Sequence, residues 1–192
     1  MMWRGVLTSL LVSGVASLPQ AVSAHPHIWI DSYYQINLAQ PVVKTLNAHW
    51  TFDLFSSMDM LIAFDTNADG KLEGQEKAEA AQAMTNLAQY GYFLKIEVDD
   101  EPIKPDLVTI TDLDVKDQQL TVDLGISLPD AVDLRDHPLR LGFGDSENYF
   151  ALVIPDDGLI QLTGILAETC TPTPAKADAF YMEGWVDVTC DP

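Results

Sequence analysis

Residues 65–76 read Asp-Thr-Asn-Ala-Asp-Gly-Lys-Leu-Glu-Gly-Gln-Glu, with an oxygen donor at each place where a twelve-residue calcium loop needs one. Asp65, Asn67 and Asp69 stand at loop positions 1, 3 and 5, and Glu76 at position 12 can bind through both carboxylate oxygens. Lys71 at position 7 offers its backbone carbonyl, and Glu73 at position 9 reaches an ion through water. Gly70 falls where the chain must turn sharply and a side chain would obstruct it. A large, hard dication that accepts about six to eight oxygens in irregular geometry suits this set, so the reading is Ca²⁺ rather than magnesium or zinc. The competing reading is a surface turn rich in Asp and Gly, but it leaves the agreement of so many positions unaccounted for.

A second set of donors depends on where the chain is cut. The first 24 residues have the form of a secretory signal peptide: Arg4 in a short positive region, an apolar run from about Gly5 to Ala16, and Val22-Ser23-Ala24 as a small-residue cleavage site. Cleavage would expose His25 with a free amine and an imidazole on one residue, a pair that chelates zinc, copper or nickel. A square-planar wrap using a position-three histidine needs the amide nitrogen of the second residue, and Pro26 has none to lose. What remains is a brace in which His25 is joined by His27 or a distant imidazole. His49 is the candidate: in a hairpin register that pairs residues summing to 80, it faces Asp31 while Asp53 faces His27. The alternative is that His27 and His49 are polar-face residues bonded to Asp neighbours. His137, before Pro138 in an acidic turn, reads as solvated.

The elements that must hold these residues are legible from periodicity. Leu54, Met58, Leu61 and Ile62 before the loop, and Ala80, Ala81, Met84, Leu87 and Ala88 after it, recur at helical spacing. The loop and its flanks therefore make one EF-hand-like unit over about 54–91, with Ser56 as N-cap and Gly91 as stop. Leu72 at position 8 has no second calcium loop to face, so it should pack into the host domain. Elsewhere the period is that of strands. Ile28 to Leu38 and Leu46 to Leu54 alternate, with Gln40-Pro41 between them, and further runs fall at about 92–98, 107–115, 119–127, 138–144, 148–154, 158–166 and 181–188. Asp99-Asp100-Glu101-Pro102, Leu128-Pro129-Asp130 and Pro155-Asp156-Asp157-Gly158 read as turns. The fold class is mainly β with an α insertion: an antiparallel sandwich or barrel-like domain over 25–192 carrying one helix–loop–helix.

Composition narrows the partners. Ten basic and 29 acidic side chains give a formal charge of −19, which nucleic acid and anionic membrane surfaces repel. With 47% hydrophobic residues the chain can collapse despite that charge. After cleavage no run is long and apolar enough for membrane insertion. Cys170 and Cys190 should form a disulfide around a C-terminal tail over 170–190, as expected beyond the cytosol. No nucleophile triad is legible, so no enzyme is expected.

His25-Pro26-His27-Ile28-Trp29-Ile30-Asp31, the His49-Trp50-Thr51-Phe52-Asp53-x-Phe55-Ser56 run, the calcium loop and Tyr149-Phe150-Ala151 before the late cysteine together carry a resemblance. Over nearly all the mature chain, the sequence resembles a bacterial family of unknown function whose members are described as periplasmic components of an uncharacterised ABC-type transport system. Where many relatives have a Tyr-Asp-Pro-Thr-Tyr-like run, this chain has Gly144-Asp145-Ser146-Glu147-Asn148-Tyr149. Such genes often neighbour nickel/cobalt-type membrane transporters. The resemblance implies a periplasmic metal-binding accessory of a divalent-metal transport system, partnered by an inner-membrane transporter, with His25, His27, Asp31, His49 and Asp53 as motif positions. Two other classes stay open: a calcium-stiffened structural or adhesive module, and a copper histidine-brace oxidase acting on polysaccharides.

Overall fold

Alternation decides which face of each strand meets the core, and the first two strands obey it. The computed structural model describes residues 27–175 and 182–192; the expected leader and cleavage site, and His25, lie outside them. Strand β1 (Ile28–Asn37) turns Ile30, Tyr34 and Ile36 inward, and β2 (Val42–Phe52) does the same with Leu46, Ala48 and Trp50. They form the expected antiparallel hairpin. The remaining strands are β3 (Leu94–Val98), β4 (Glu101–Pro102), β5 (Leu107–Lys116), β6 (Gln119–Asp133), β7 (Leu139–Phe143), β8 (Phe150–Val153), β9 (Ile160–Thr163), β10 (Cys170–Ala175) and β11 (Trp185–Cys190).

They assemble into two sheets. One runs β5-β6-β2-β1-β8, with β9 also on β1, and the other runs β10-β11-β7-β3-β4. Tyr34 joins them: its ring stacks on Phe143 at 4.3 Å and its hydroxyl donates to the Gly142 carbonyl at 2.8 Å, so a β1 side chain is satisfied by β7. Burial pushes the Tyr34 phenol well above its ordinary pKa and keeps it a donor. A mainly β, two-layered domain with a helical insertion is therefore what this sequence builds.

The helical insertion comprises α1 (Leu54–Phe64), α2 (Gly74–Met84) and a 3₁₀ segment, Thr85–Phe93. Ser57 pins α1 to β6, its hydroxyl accepting from the Leu120 amide at 2.8 Å and donating to the Asp53 carbonyl at 2.7 Å. Lys77 on α2 pairs with Asp112 on β5 at 2.6 Å. Leu72 is 2% exposed and belongs to the common core, which places the loop's apolar residue in the host domain.

Four details differ from the sequence reading. The α1 N-cap is Asp53, whose carboxylate accepts from the amides of Phe55 and Ser56; Ser56 is already inside the helix. The sheet around β1 is mixed, since β8 runs parallel to its first half and β9 to its second. Strand β6 continues through Leu128-Pro129-Asp130, because a register shift between Val43 and Thr45 lets that stretch bow out and Pro129 has no ladder amide to supply. Finally, β10 occupies the Thr171-Pro172-Thr173-Pro174 stretch expected to be a loop. It is an edge strand, where proline's missing N–H leaves no neighbour unpaired. Its first residue, Cys170, lies opposite Cys190 and is disulfide-bonded to it.

Candidate metal centre

The 65–76 loop turns its oxygens onto its own backbone. Asp65 accepts from the amides of Asp69 at 3.2 Å and Gly70 at 2.8 Å; Asn67 accepts from Asp69 at 2.9 Å, and Asp69 from Lys71 at 3.0 Å. Positions 1, 3 and 5 are thus drawn toward the turn, which Gly70 makes possible at φ +79°. Glu76 leans back from α2 across the loop, accepting from the Thr66 hydroxyl at 2.6 Å and the amides of Thr66 and Asn67 at 2.9 and 3.3 Å. The Thr66 hydroxyl and these amides hold the Glu76 carboxyl below its ordinary pKa, so it stays ionised. Lys71 and Glu73 lie outward and face one another at 3.8 Å.

In type, order and turn geometry this donor set fits calcium. Asp65, Asn67, Asp69 and Glu76 would supply side-chain oxygens and Lys71 its carbonyl. Among the described residues no group of three or more His, Cys, Asp or Glu side chains is gathered as a metal site. The loop's carboxylates are occupied by amides.

The N-terminal set is dispersed. The hairpin register pairs residues summing to 82, with Ile30 opposite Phe52 and Tyr33 opposite His49; this corrects the assumed sum of 80. A shift of two preserves every face but moves every neighbour along the strand. Asp31 now faces Thr51, and His49 lies six β1 residues beyond His27, roughly 20 Å at ~3.3 Å per residue. His49 packs against the Tyr33 ring at 4.9 Å, and its Nδ1 meets Asp123 Oδ1 at 2.6 Å, while Nε2 lies 3.4 Å from the Thr51 hydroxyl. Here the histidine is bonded to an Asp neighbour. Asp123 was not singled out by sequence; its only signal is the polar alternation of β6.

Asp53 is fully engaged. Besides capping α1 it accepts from the Ser56 hydroxyl at 2.7 Å and from the Trp29 amide at 2.9 Å, so one carboxylate fastens the start of α1 to β1. Burial acts to raise its pKa, but these hydrogen bonds outweigh burial and hold it below the ordinary aspartate value. His27 is exposed, its amide bonded to the Tyr149 carbonyl at 2.9 Å and its ring 5.0 Å from that of Tyr149. It sits on the rim of a cavity of about 480 Å³ bounded by Phe52, Phe55, Met60, Met84 and Phe150. His137 pairs with Asp99 at 2.7 Å on the surface.

In the 144–149 run, Asp145 is 5% exposed and accepts from the amides of Glu147, Tyr149 and Phe150 at 3.0–3.1 Å. It fixes the turn that presents Tyr149 to His27. An Asp followed by Ser-Glu-Asn is the signal for such a turn.

A two-sheet β domain with a helical insertion is the class that this fold defines. Residues 10–181 match the model of a family described as "Protein of unknown function (DUF1007)", and the chain belongs to that family. No curated protein and no solved structure matches it. Among the described residues no helix is long and apolar enough to cross a membrane.

Proposed function

We propose that this protein is a periplasmic metal-binding accessory of a divalent-metal transport system. It binds Ca²⁺ in the 65–76 loop and, after cleavage of the leader, a zinc, copper or nickel ion at the His25-Pro26-His27 terminus. The observation that supports the calcium half is that Asp65, Asn67, Asp69 and Glu76, the donor types a calcium loop needs at those positions, all bond within the same 65–76 turn. The Cys170–Cys190 disulfide supports a place outside the cytosol. For the transition-metal half, the support is His27's exposed position a few residues past the expected cleavage point after Ala24; His49 and Asp53 are committed to other partners and are not needed. The transporter partner is an inner-membrane protein.

Elemental analysis and calorimetry on leader-cleaved protein test both halves. Calcium binding, at roughly 10⁻⁴ to 10⁻³ M as in extracellular modules, should vanish in Asp65→Ala with Glu76→Ala. Zinc, copper or nickel binding should weaken in His27→Ala and in a variant with one residue added ahead of His25. If the added residue changes nothing, the terminal site is abandoned. Burial of Leu72 in the host core also favours a second reading, in which calcium only stiffens a structural module. Absence of transition-metal binding by the cleaved protein would decide for it.

A further inference from the structure

Helix α1 is apolar on two sides, and only one of them is used. Ser57, Leu61 and Phe64 face the domain, whereas Leu54, Phe55, Met58 and Ile62 form a stripe at helical spacing that faces solvent, with Phe55 86% and Ile62 78% exposed. The stripe extends over about 12 Å of helix. It borders the cavity of about 480 Å³ between α1 and the Met84–Leu87 stretch, a ligand-sized cleft floored by Phe52 and Phe150. Two further depressions, of about 290 and 200 Å³, share Phe150 and carry Tyr90, Tyr149 and Trp29 at their rims. An exposed apolar stripe that meets a ligand-sized cleft at Phe55 marks an interaction site.

Its charge is one-sided. Asp59, Glu147 and Glu183 lie exposed around the three depressions, and no Lys or Arg lines them among the described residues. A second copy of this chain, at −19, would press like charges together, and an anionic bilayer would be repelled. We propose that this face docks an amphipathic helix of a partner protein, its apolar side laid along α1 into the cavity and its basic flank against Asp59, Glu147 and Glu183. Met58, Met60 and Met84 suit the role, since unbranched thioether side chains repack around differing apolar anchors. His27 also sits on the rim of this cavity, but neither the α1 stripe nor the three carboxylates include it, so the inference does not rest on the metal-binding reading.

The test uses the mature protein and a synthetic peptide of about eighteen residues with leucine on one helical face and lysine on the other. Fluorescence anisotropy should show binding that weakens with added salt, and Phe55→Ser with Met58→Ser should weaken it about tenfold or more. Hydrogen exchange on the unmodified protein gives a readout that needs no variant: protection should rise along α1 and around Phe150 when peptide is added. Equal binding of a leucine/glutamate helix, or of a sequence-permuted leucine/lysine peptide, would overturn the proposal. So would unchanged exchange at α1. Binding of phosphatidylglycerol vesicles that the double variant abolishes would assign the face to lipid, and a dimer that the double variant dissolves would assign it to a second copy; either result also rejects it.

Discussion

Glu76 Oε1 lies 2.6 Å from the Thr66 hydroxyl, so the last ligand position of the loop is tied to its second residue by the protein's own hydrogen bond. The carboxylate is therefore held across the turn, at the place where the proposed calcium site would use it. The same contact sets a pH dependence. A carboxyl whose folded pKa is depressed contributes closure that is present above the ordinary value of 4.5 and is lost as pH falls through the lowered one. NMR titration of the Glu76 side-chain carbon should place its midpoint below 4.5, and Thr66→Val should move it upward. An unchanged midpoint in the variant would show that the hydroxyl is not the cause.

Asp53, directly after β2, joins β1 to α1 through four hydrogen bonds from Trp29, Phe55 and Ser56. Replacing it by Ala removes an N-cap and leaves the Trp29 amide without that acceptor, a loss of about 2 kcal/mol in urea unfolding. Because α1 ends at Asp65, the first position of the 65–76 loop, the fraying should also weaken the proposed calcium binding in the same protein. A change below about 0.5 kcal/mol would show that neighbouring groups replace the cap.

What the sequence carried and what it did not divide along physical lines. Leu72 was legible because position 8 of an unpaired loop must be covered by something, and the β1–β2 hairpin because alternation and Gln40-Pro41 agree. The register was not legible, since alternation repeats every two residues and sums of 80 and 82 bury the same faces. That ambiguity alone separated His49 from Asp31. Asp123, on a strand 74 residues further on, became its partner through a pairing that no local pattern records. Strand β10 was hidden by Pro172 and Pro174, which argue against a strand unless it lies at an edge. Tyr34, read as one of an alternating row, turned out to bridge the sheets because Gly142 and Phe143 lie opposite it in the second layer.

The separation of His27 from His49 gives a direct comparison. His49→Ala breaks a contact with Asp123 in mid-sheet and should cost about 1 kcal/mol of stability. It should leave zinc, copper or nickel binding by the cleaved protein unchanged, whereas His27→Ala weakens it. Calorimetry on the two variants checks this, and equal loss in both would mean that the hairpin brings the two imidazoles together after all.

Tyr34→Phe isolates the link between the layers. It keeps the ring that stacks on Phe143 and deletes the hydroxyl that satisfies the Gly142 carbonyl in a fully buried site. The expected loss is about 1–2 kcal/mol with an unchanged denaturant slope. A near-zero change would mean that the carbonyl finds another donor.

The disulfide bears on one edge of the second sheet. Among the described residues strand β10 pairs with β11 alone, and its two prolines offer no amides to any ladder, so its attachment relies on few backbone bonds and on Cys170–Cys190. Cleaving a cross-link between residues 20 apart should lower stability by ~3 kcal/mol in the chain-entropy view. The loss should be local before it is global. Reduction should raise amide exchange at Thr171 and Thr173 first, while Tyr34, Ala48 and Leu124, buried where β1, β2 and β6 adjoin, keep their protection. Uniform acceleration across both sheets on reduction would instead mean that the edge strand and the core unfold as one unit, with the tail an integral part of the sandwich.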